Sequence, residues 1–426
     1  MKYFKVLIIL SLLLIIPVLV FSNFKSAADQ SSDQDKIPAV TDTSKEQKAV
    51  NQAKVLTGAD QVHTYLPYLK DKKVGLLVNT SSIIENTSLV DSLLSHNVNI
   101  KYIFGPEHGF RSNAGNGVSV KDEVDSATGI PIISLYGGTR KPSKEQMNSL
   151  DLMVFDIQDV GCRFFTYINK LYDIMEACAE NNKELIILDR PNPNGFVDGP
   201  VLDMKLKSGI GKFPVPITHG MTMAEFAQMI NGEGWLPNKA KCKLRIISLK
   251  NYTHSTYYEL PVSPSPNLNT QASIMLYPSL CLFEGTIISQ GRGTYMPFTV
   301  LGNPKLKDTY QFSFTPKSIP GMSASPLHMN KTCFGIDLRD YDVKDLLKTK
   351  EINLKWLLEF YEKYPEKKRF FDRSQSSQMG DFDKLAGTAN LKKQIIDGVS
   401  EEEIRASWEP ELSEYKAMRE KYVIYE

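Results

Sequence analysis

The chain has 426 residues, 42% hydrophobic and 23% charged, with 50 basic residues against 49 acidic ones. That length admits two domains with a well-filled core, and the composition is that of an ordinary globular protein. A net charge of +1, with no Lys/Arg block and no interleaved aromatic stripe, argues against a nucleic-acid partner.

Residues 1–28 read as a targeting segment. Lys2 and Lys5 form a positive start, Val6–Phe21 is almost wholly apolar, and Ser26-Ala27-Ala28 offers small residues to signal peptidase. The apolar run is short for a comfortable membrane span and is interrupted by Pro17, so an uncleaved anchor is the minor alternative. Loss of its three lysines takes the net charge from +1 to −2. The expected location is periplasmic or extracellular, with membrane contact only through this segment if it stays attached. Residues 29–52 are polar and nearly free of large apolar side chains, the composition of a disordered tether. Five scattered cysteines without a CxxC fit neither a zinc site nor a disulfide framework, and read as small buried apolar residues. No metal or other cofactor is implied.

From Lys54 onward, buried-type strands alternate with amphipathic helices. Strands are expected at Val74–Val78, Ile100–Phe104, Leu152–Phe155 and Leu185–Leu188. A helical face follows the first, through Leu89, Leu93 and Leu94, and Arg163–Asn181 carries apolar residues at helical spacing. Continuous apolar strands alternating with helices imply a parallel sheet covered on both faces. The right-handed crossover rule then sets all four strand ends on one edge. Thr222, with Glu225 three residues on, predicts a capped helix over Met223–Asn231. Ser263–Thr294 is so rich in Gly, Pro and polar residues that it reads as a long functional loop. Beyond about Pro304 a strand at Cys333–Leu338 and helices near Trp356–Tyr361 and Ile395–Ile404 suggest a smaller α+β domain. The chain therefore divides into 53–303 and 304–426.

The expected strand edge collects Glu107, His108, Arg111, Asp156, Gln158, Asp159, Arg163, Asp189, Arg190 and Asn192. Open α/β sheets bind ligands at that edge. Neither GxGxxG after a strand nor GxxxxGK[ST] is present, which argues against a nucleotide. The absence of GxSxG disfavours a serine hydrolase. Paired carboxylates suit glycoside hydrolysis, and neighbouring arginines suit an anionic substrate.

Seven motifs occur in order: FGPEHGFR, SLYG, FDIQDVGCRFFTY, LDRPNPNG, HGMT, SPSPN and EGTIISQGRGT. Together they resemble the exo-β-N-acetylmuramidase family of peptidoglycan recycling, formerly a domain-of-unknown-function family. The resemblance implies a Rossmann-like α/β domain with a smaller C-terminal domain, and release of N-acetylmuramic acid (MurNAc) from non-reducing ends of peptidoglycan fragments. Carried over by motif, Glu107 is the expected general acid, the alternative being a carboxylate that caps its own turn. Asp156, Asp159 and Glu284 compete for the second role. Arg163 and Arg292 are candidates for the lactyl carboxylate, the alternative being ion pairs with Asp156 or Glu284. His108, Arg111, Gln158, His219 and Asn267 are candidate substrate contacts, of which Gln158 and Asn267 could instead pin loops. Rival functions are a non-catalytic glycan-binding protein, a hydrolase on another amino-sugar glycan, and an amidase or esterase, the last disfavoured by the missing nucleophile.

Overall fold

The computed structural model describes residues 53–106, 110, 122–372 and 381–426. The targeting segment, the tether, Glu107, His108 and Arg111 lie outside the described residues.

The organising element is a seven-stranded sheet. Its strands are β1 (Lys73–Val78), β2 (Asn99–Gly105), β3 (Glu123–Val124), β4 (Pro131–Ser134), β5 (Leu152–Asp156), β6 (Glu184–Leu188) and β7 (Lys243–Ile247). Their spatial order is β7-β6-β5-β1-β2-β4-β3, with only the edge strand β3 antiparallel. Counting the six parallel strands alone, the sheet reads 3-2-1-4-5-6 from β4 to β7, the doubly wound Rossmann order. The four anticipated strand ends therefore do share one edge. The anticipated strands β1, β2, β5 and β6 are present, whereas β4 is an addition: PIIS is too short an apolar run to stand out.

Side chains along these strands alternate between two cores, as period 2 requires. Met153, Phe155, Leu185 and Ile187 face one core; Leu152, Val154, Ile186 and Leu188 face the other. The first core is covered by α4 (Tyr167–Glu180) and α5 (Met223–Gly232), with α3 (Lys144–Asn148) at its margin. The second is covered by α1 (Val62–Leu69) and α2 (Leu89–Ser95). The capping box at α5 is formed: Glu225 N–H donates to Thr222 Oγ1, and Thr222 N–H donates to Glu225 Oε2 at 2.8 Å. Helix α4 starts four residues later than its apolar spacing suggests, because Arg163–Thr166 form an irregular turn at the sheet edge.

Two expectations need correction. The presumed loop Ser263–Thr294 contains α6 (Gln271–Leu280), capped by Thr270 and Ser273, followed by a 3₁₀ turn at Cys281–Gly285. The helix expected around Ile395–Ile404 is two helices. Chain order in this part is α7 (Lys344–Thr349), α8 (Lys355–Lys363), α9 (Phe382–Ala386), α10 (Asn390–Ile396) and α11 (Glu401–Arg419), with Ser400 capping the last. These helices share a third core with α6. Beside them lies a three-stranded antiparallel sheet, β8 (Val300–Asn303), β9 (Phe312–Phe314) and β10 (Cys333–Asp337), ordered β8-β10-β9. It spans the position near residue 304 where the sequence changes character. All five cysteines are buried and unbridged. Among the described residues, no helix is long and apolar enough to cross a membrane.

Candidate active site

A cavity of about 910 Å³ opens at the sheet edge. That size suits a drug-sized ligand or a short glycan. Tyr136 and Gly137, just beyond β4, line it, as do Phe164–Tyr167 beyond β5 and the first turn of α4. Ser265, Asn267, Glu284, Arg292 and Phe298 come from around α6, and Met322–Ser325 from beyond β9. Four of the seven motifs thus contribute to one wall or another.

One wall is aromatic. Phe298 meets Tyr277 edge-on at 4.9 Å between ring centroids, Tyr277 meets Phe164 at 5.2 Å, and Phe165 meets Tyr167 at 4.9 Å. Such faces suit the C–H surface of a sugar. Phe298 is held at φ 54°, a strained conformation for a bulky residue, by its N–H bond to the carbonyl of Gln290 at 2.7 Å.

Set into this wall is an ion pair. Arg292 Nε donates to Glu284 Oε1 at 2.6 Å, and Gln290 Nε2 donates to the same oxygen at 3.1 Å. The ion pair weighed for Arg292 and Glu284 is therefore present. It occupies only one edge of the guanidinium, whose two Nη groups have no hydrogen-bond partner among the described residues. Asn267 donates through Nδ2 to the carbonyl of Met322 at 2.8 Å, which pins a loop, while its buried Oδ1 has no hydrogen-bond partner among the described residues.

The other expected site residues lie beneath the edge. Asp156 is fully buried and grips Arg190 through two contacts, Nε–Oδ1 at 2.5 Å and Nη2–Oδ2 at 2.9 Å. Burial raises its pKa, with Arg190 opposing. Gln158 Nε2 donates to the carbonyls of Asp159 and Pro191, both at 2.7 Å, so it fastens the loops after β5 and β6. Asp159 Oδ1 accepts from Gly161 N–H at 2.7 Å, and burial pushes its pKa up to about 7. Gly161 sits at φ 75°, against Asn192, where a Cβ would collide. His219 Nε2 stands 4.0 Å from Asp159 Oδ1, and burial lowers the imidazole to about 3, keeping it neutral. Neither Asp159 Oδ2 nor His219 Nε2 has a hydrogen-bond partner among the described residues. The His219 carbonyl accepts from Tyr415 Oη at 2.7 Å and Gly220 from Arg419, so α11 clamps the HGMT turn.

Arg163 is fully buried and makes no ion pair among the described residues, Asp156 being taken by Arg190. It donates to the carbonyls of Pro200, Val215 and Leu385 at 2.8–2.9 Å, and burial lowers its pKa to about 9. Gly387, at φ 82°, lies flat against its guanidinium. Arg163 therefore ties the sheet edge to α9 and does not line the cavity.

Sequence reasoning missed the basic rim of the cavity. Arg140, Lys170, Lys207 and Lys212 line it together with Asp173. With Arg292 and Glu284, five cations face two carboxylates. Lys170 and Asp173 could have been found from their i,i+3 spacing at the start of α4; Arg140 and Lys212 lie in stretches without any motif.

Family models described as exo-beta-N-acetylmuramidase NamZ, N-terminal, and exo-beta-N-acetylmuramidase NamZ, C-terminal, match residues 74–272 and 275–425. The chain is 38% identical over 392 residues to the peptidoglycan beta-N-acetylmuramidase NamZ of Bacillus subtilis (strain 168), covering 87% of this chain and 92% of that one. Two crystal structures of DUF1343 family proteins from Bacteroides fragilis NCTC 9343 are similar. One has a TM-score of 0.79 at 45% identity, covering 88% of this chain and 99% of that chain. The other has a TM-score of 0.72 at 28% identity, covering 87% and 99%. With both models in register across the doubly wound sheet and the helices that close its cavity, the chain belongs to the exo-beta-N-acetylmuramidase NamZ family.

Proposed function

We propose that this chain is an exo-acting glycosidase that releases MurNAc from the non-reducing ends of peptidoglycan fragments. The observation that carries the reading is a cation-rich cavity with Arg292 on its wall, suited to a sugar that bears a carboxylate. In this reading the two Nη groups of Arg292 receive the lactyl carboxylate. Asn267 Oδ1 accepts the acetamido N–H, and the rings of Tyr277 and Phe298 cover the sugar face.

Glu107 is the proton donor to the leaving oxygen. It is the next residue after Pro106, where β2 ends beside β4, whose own exit leads to Tyr136 on the cavity wall. Glu284 takes the second role. It lines the cavity, as Asp156 and Asp159 do not, and Arg292 and Gln290 hold its Oε1 in place. A carboxylate there stabilises the positive charge that develops at the anomeric carbon. Asp156 and Asp159 then serve to hold the loops that build the edge. We further propose that residues 1–28 direct export, setting the enzyme in the periplasm or outside the cell.

The test is a chromogenic MurNAc glycoside beside its GlcNAc counterpart, with the chain lacking residues 1–28. Release from the MurNAc compound with little from the GlcNAc one is expected; equal release, or none, would overturn the reading.

A further inference from the structure

The cavity has a closed end and an open end. Glu284 and Arg292 expose 3% and 9% of their side chains, whereas Arg140 at the rim exposes 53%. At the rim three cations converge on one buried carboxylate. Lys212 Nζ lies 3.1 Å from Asp173 Oδ1, Arg140 Nη1 3.5 Å from the same oxygen, and Lys170 Nζ 3.6 Å from Oδ2. Arg140 also shares Glu176 at 3.3 Å, but Glu176 is held in addition by Lys141. Asp173, Glu176 and Glu180, the last paired with Lys141, stand against Arg140, Lys141, Lys207 and Lys212, so even without Lys170 the rim keeps an excess of positive charge beside solvent.

The cluster is also built rather than loose. Lys212 Nζ is seated 3.5 Å from the centre of the Tyr172 ring. Lys170 is anchored by its bond to the carbonyl of Leu135 at 2.6 Å. The loop that carries Lys212 is tied to α4 by Asn169 Nδ2, which donates to the carbonyl of Gly209 at 2.8 Å. The first turn of α4, whose cap residue Thr166 makes no side-chain cap bond, faces the same cavity and adds its positive helix end.

An exo-acting enzyme seats the terminal sugar at the closed end, so the rest of the glycan must leave past the rim. In an alternating glycan the second sugar is neutral, and the third carries the next lactyl carboxylate. We infer that Lys212, Lys170 and Arg140 form a subsite for the carboxylate of that third sugar, a second muramic acid. The inference rests on the muramidase reading and deepens it: the enzyme is tuned to fragments longer than a disaccharide, with an anion two sugars beyond the one released.

The experiment compares MurNAc–GlcNAc, MurNAc–GlcNAc–MurNAc, and the same trisaccharide with the lactyl carboxylate of its reducing-end sugar converted to the methylamide. For the unmodified enzyme, kcat/KM on the free trisaccharide is expected to exceed that on the amidated one about tenfold, the scale of one charge-assisted contact. In Lys212→Met and in Arg140→Gln that ratio should fall toward one. Both substrates meet the same preparation, so a variant that folds poorly lowers both rates and leaves the ratio readable. Equal kcat/KM on the two trisaccharides with intact disaccharide cleavage would overturn the subsite alone. No cleavage of the disaccharide or either trisaccharide would overturn the muramidase reading and the subsite with it.

Discussion

Arg292 donates through Nε to Glu284 Oε1 at 2.6 Å, on the wall of the cavity of about 910 Å³ at the sheet edge. The contact leaves the two Nη groups of the arginine for a ligand and fixes the position of the carboxylate. Arg163, the other candidate for the lactyl carboxylate, is arranged in the opposite way. All its bonds end on backbone carbonyls, and none faces the cavity.

Arg292→Met should therefore narrow the preference for MurNAc over GlcNAc glycosides. Loss of a charge-assisted pair costs about 1.5–3 kcal/mol, roughly ten- to a hundredfold in relative kcat/KM. Steady-state kinetics on the paired substrates reads this directly. An equal loss on both would show that Arg292 only holds Glu284 in place.

Arg163→Met should leave that preference unchanged and weaken the fold. Three buried carbonyls lose their donor, for an expected loss of about 3 kcal/mol or more. Urea denaturation measures it, and a selective loss of MurNAc recognition with unchanged stability would contradict the structural role.

Asp159 and His219 should act on stability with opposite signs. A buried carboxyl raised to about 7 stabilises the fold below the unfolded Asp value, and that contribution is lost as pH rises toward 7. A buried imidazole lowered to about 3 contributes fully above the unfolded His value, and that contribution is lost as pH falls. Between about pH 4 and 6.5 the two slopes oppose, each at most about 1.4 kcal/mol per pH unit. Relative to the unmodified chain, Asp159→Asn should make stability rise more steeply with pH across that window. His219→Gln should make it fall. Melting temperatures measured across the window check both, and parallel shifts in the two variants would contradict the assignment.

The frame of the fold was readable because its signals are local. Val74–Val78 and Leu185–Leu188 are unbroken apolar runs, and Thr222 and Glu225 cap α5 across three residues. What stayed hidden depends on distant partners. Asp156 could be placed at a strand end, but not in a pair with Arg190 thirty-four positions on. The Leu385 carbonyl that accepts from Arg163 is 222 residues away. Helix α6 was masked by Pro278 and by the Ser/Pro stretch before it, although burial of its residues against the third core overrides that local preference. The basic rim combines Arg140 and Lys212, which no spacing rule connects.

The central claim is that Glu107 protonates the leaving oxygen, and Glu107→Gln tests it most directly. The substitution keeps the shape of the side chain and removes the transferable proton. Cleavage of MurNAc–GlcNAc, which has a poor leaving group, should fall by roughly 10²–10⁴. An activated aryl MurNAc glycoside, which needs little protonation, should lose far less, and the basic limb of the pH–rate profile should flatten. If both substrates instead lose activity equally, with a lower melting temperature and an unchanged pH profile, Glu107 is structural and the account of the reaction is wrong.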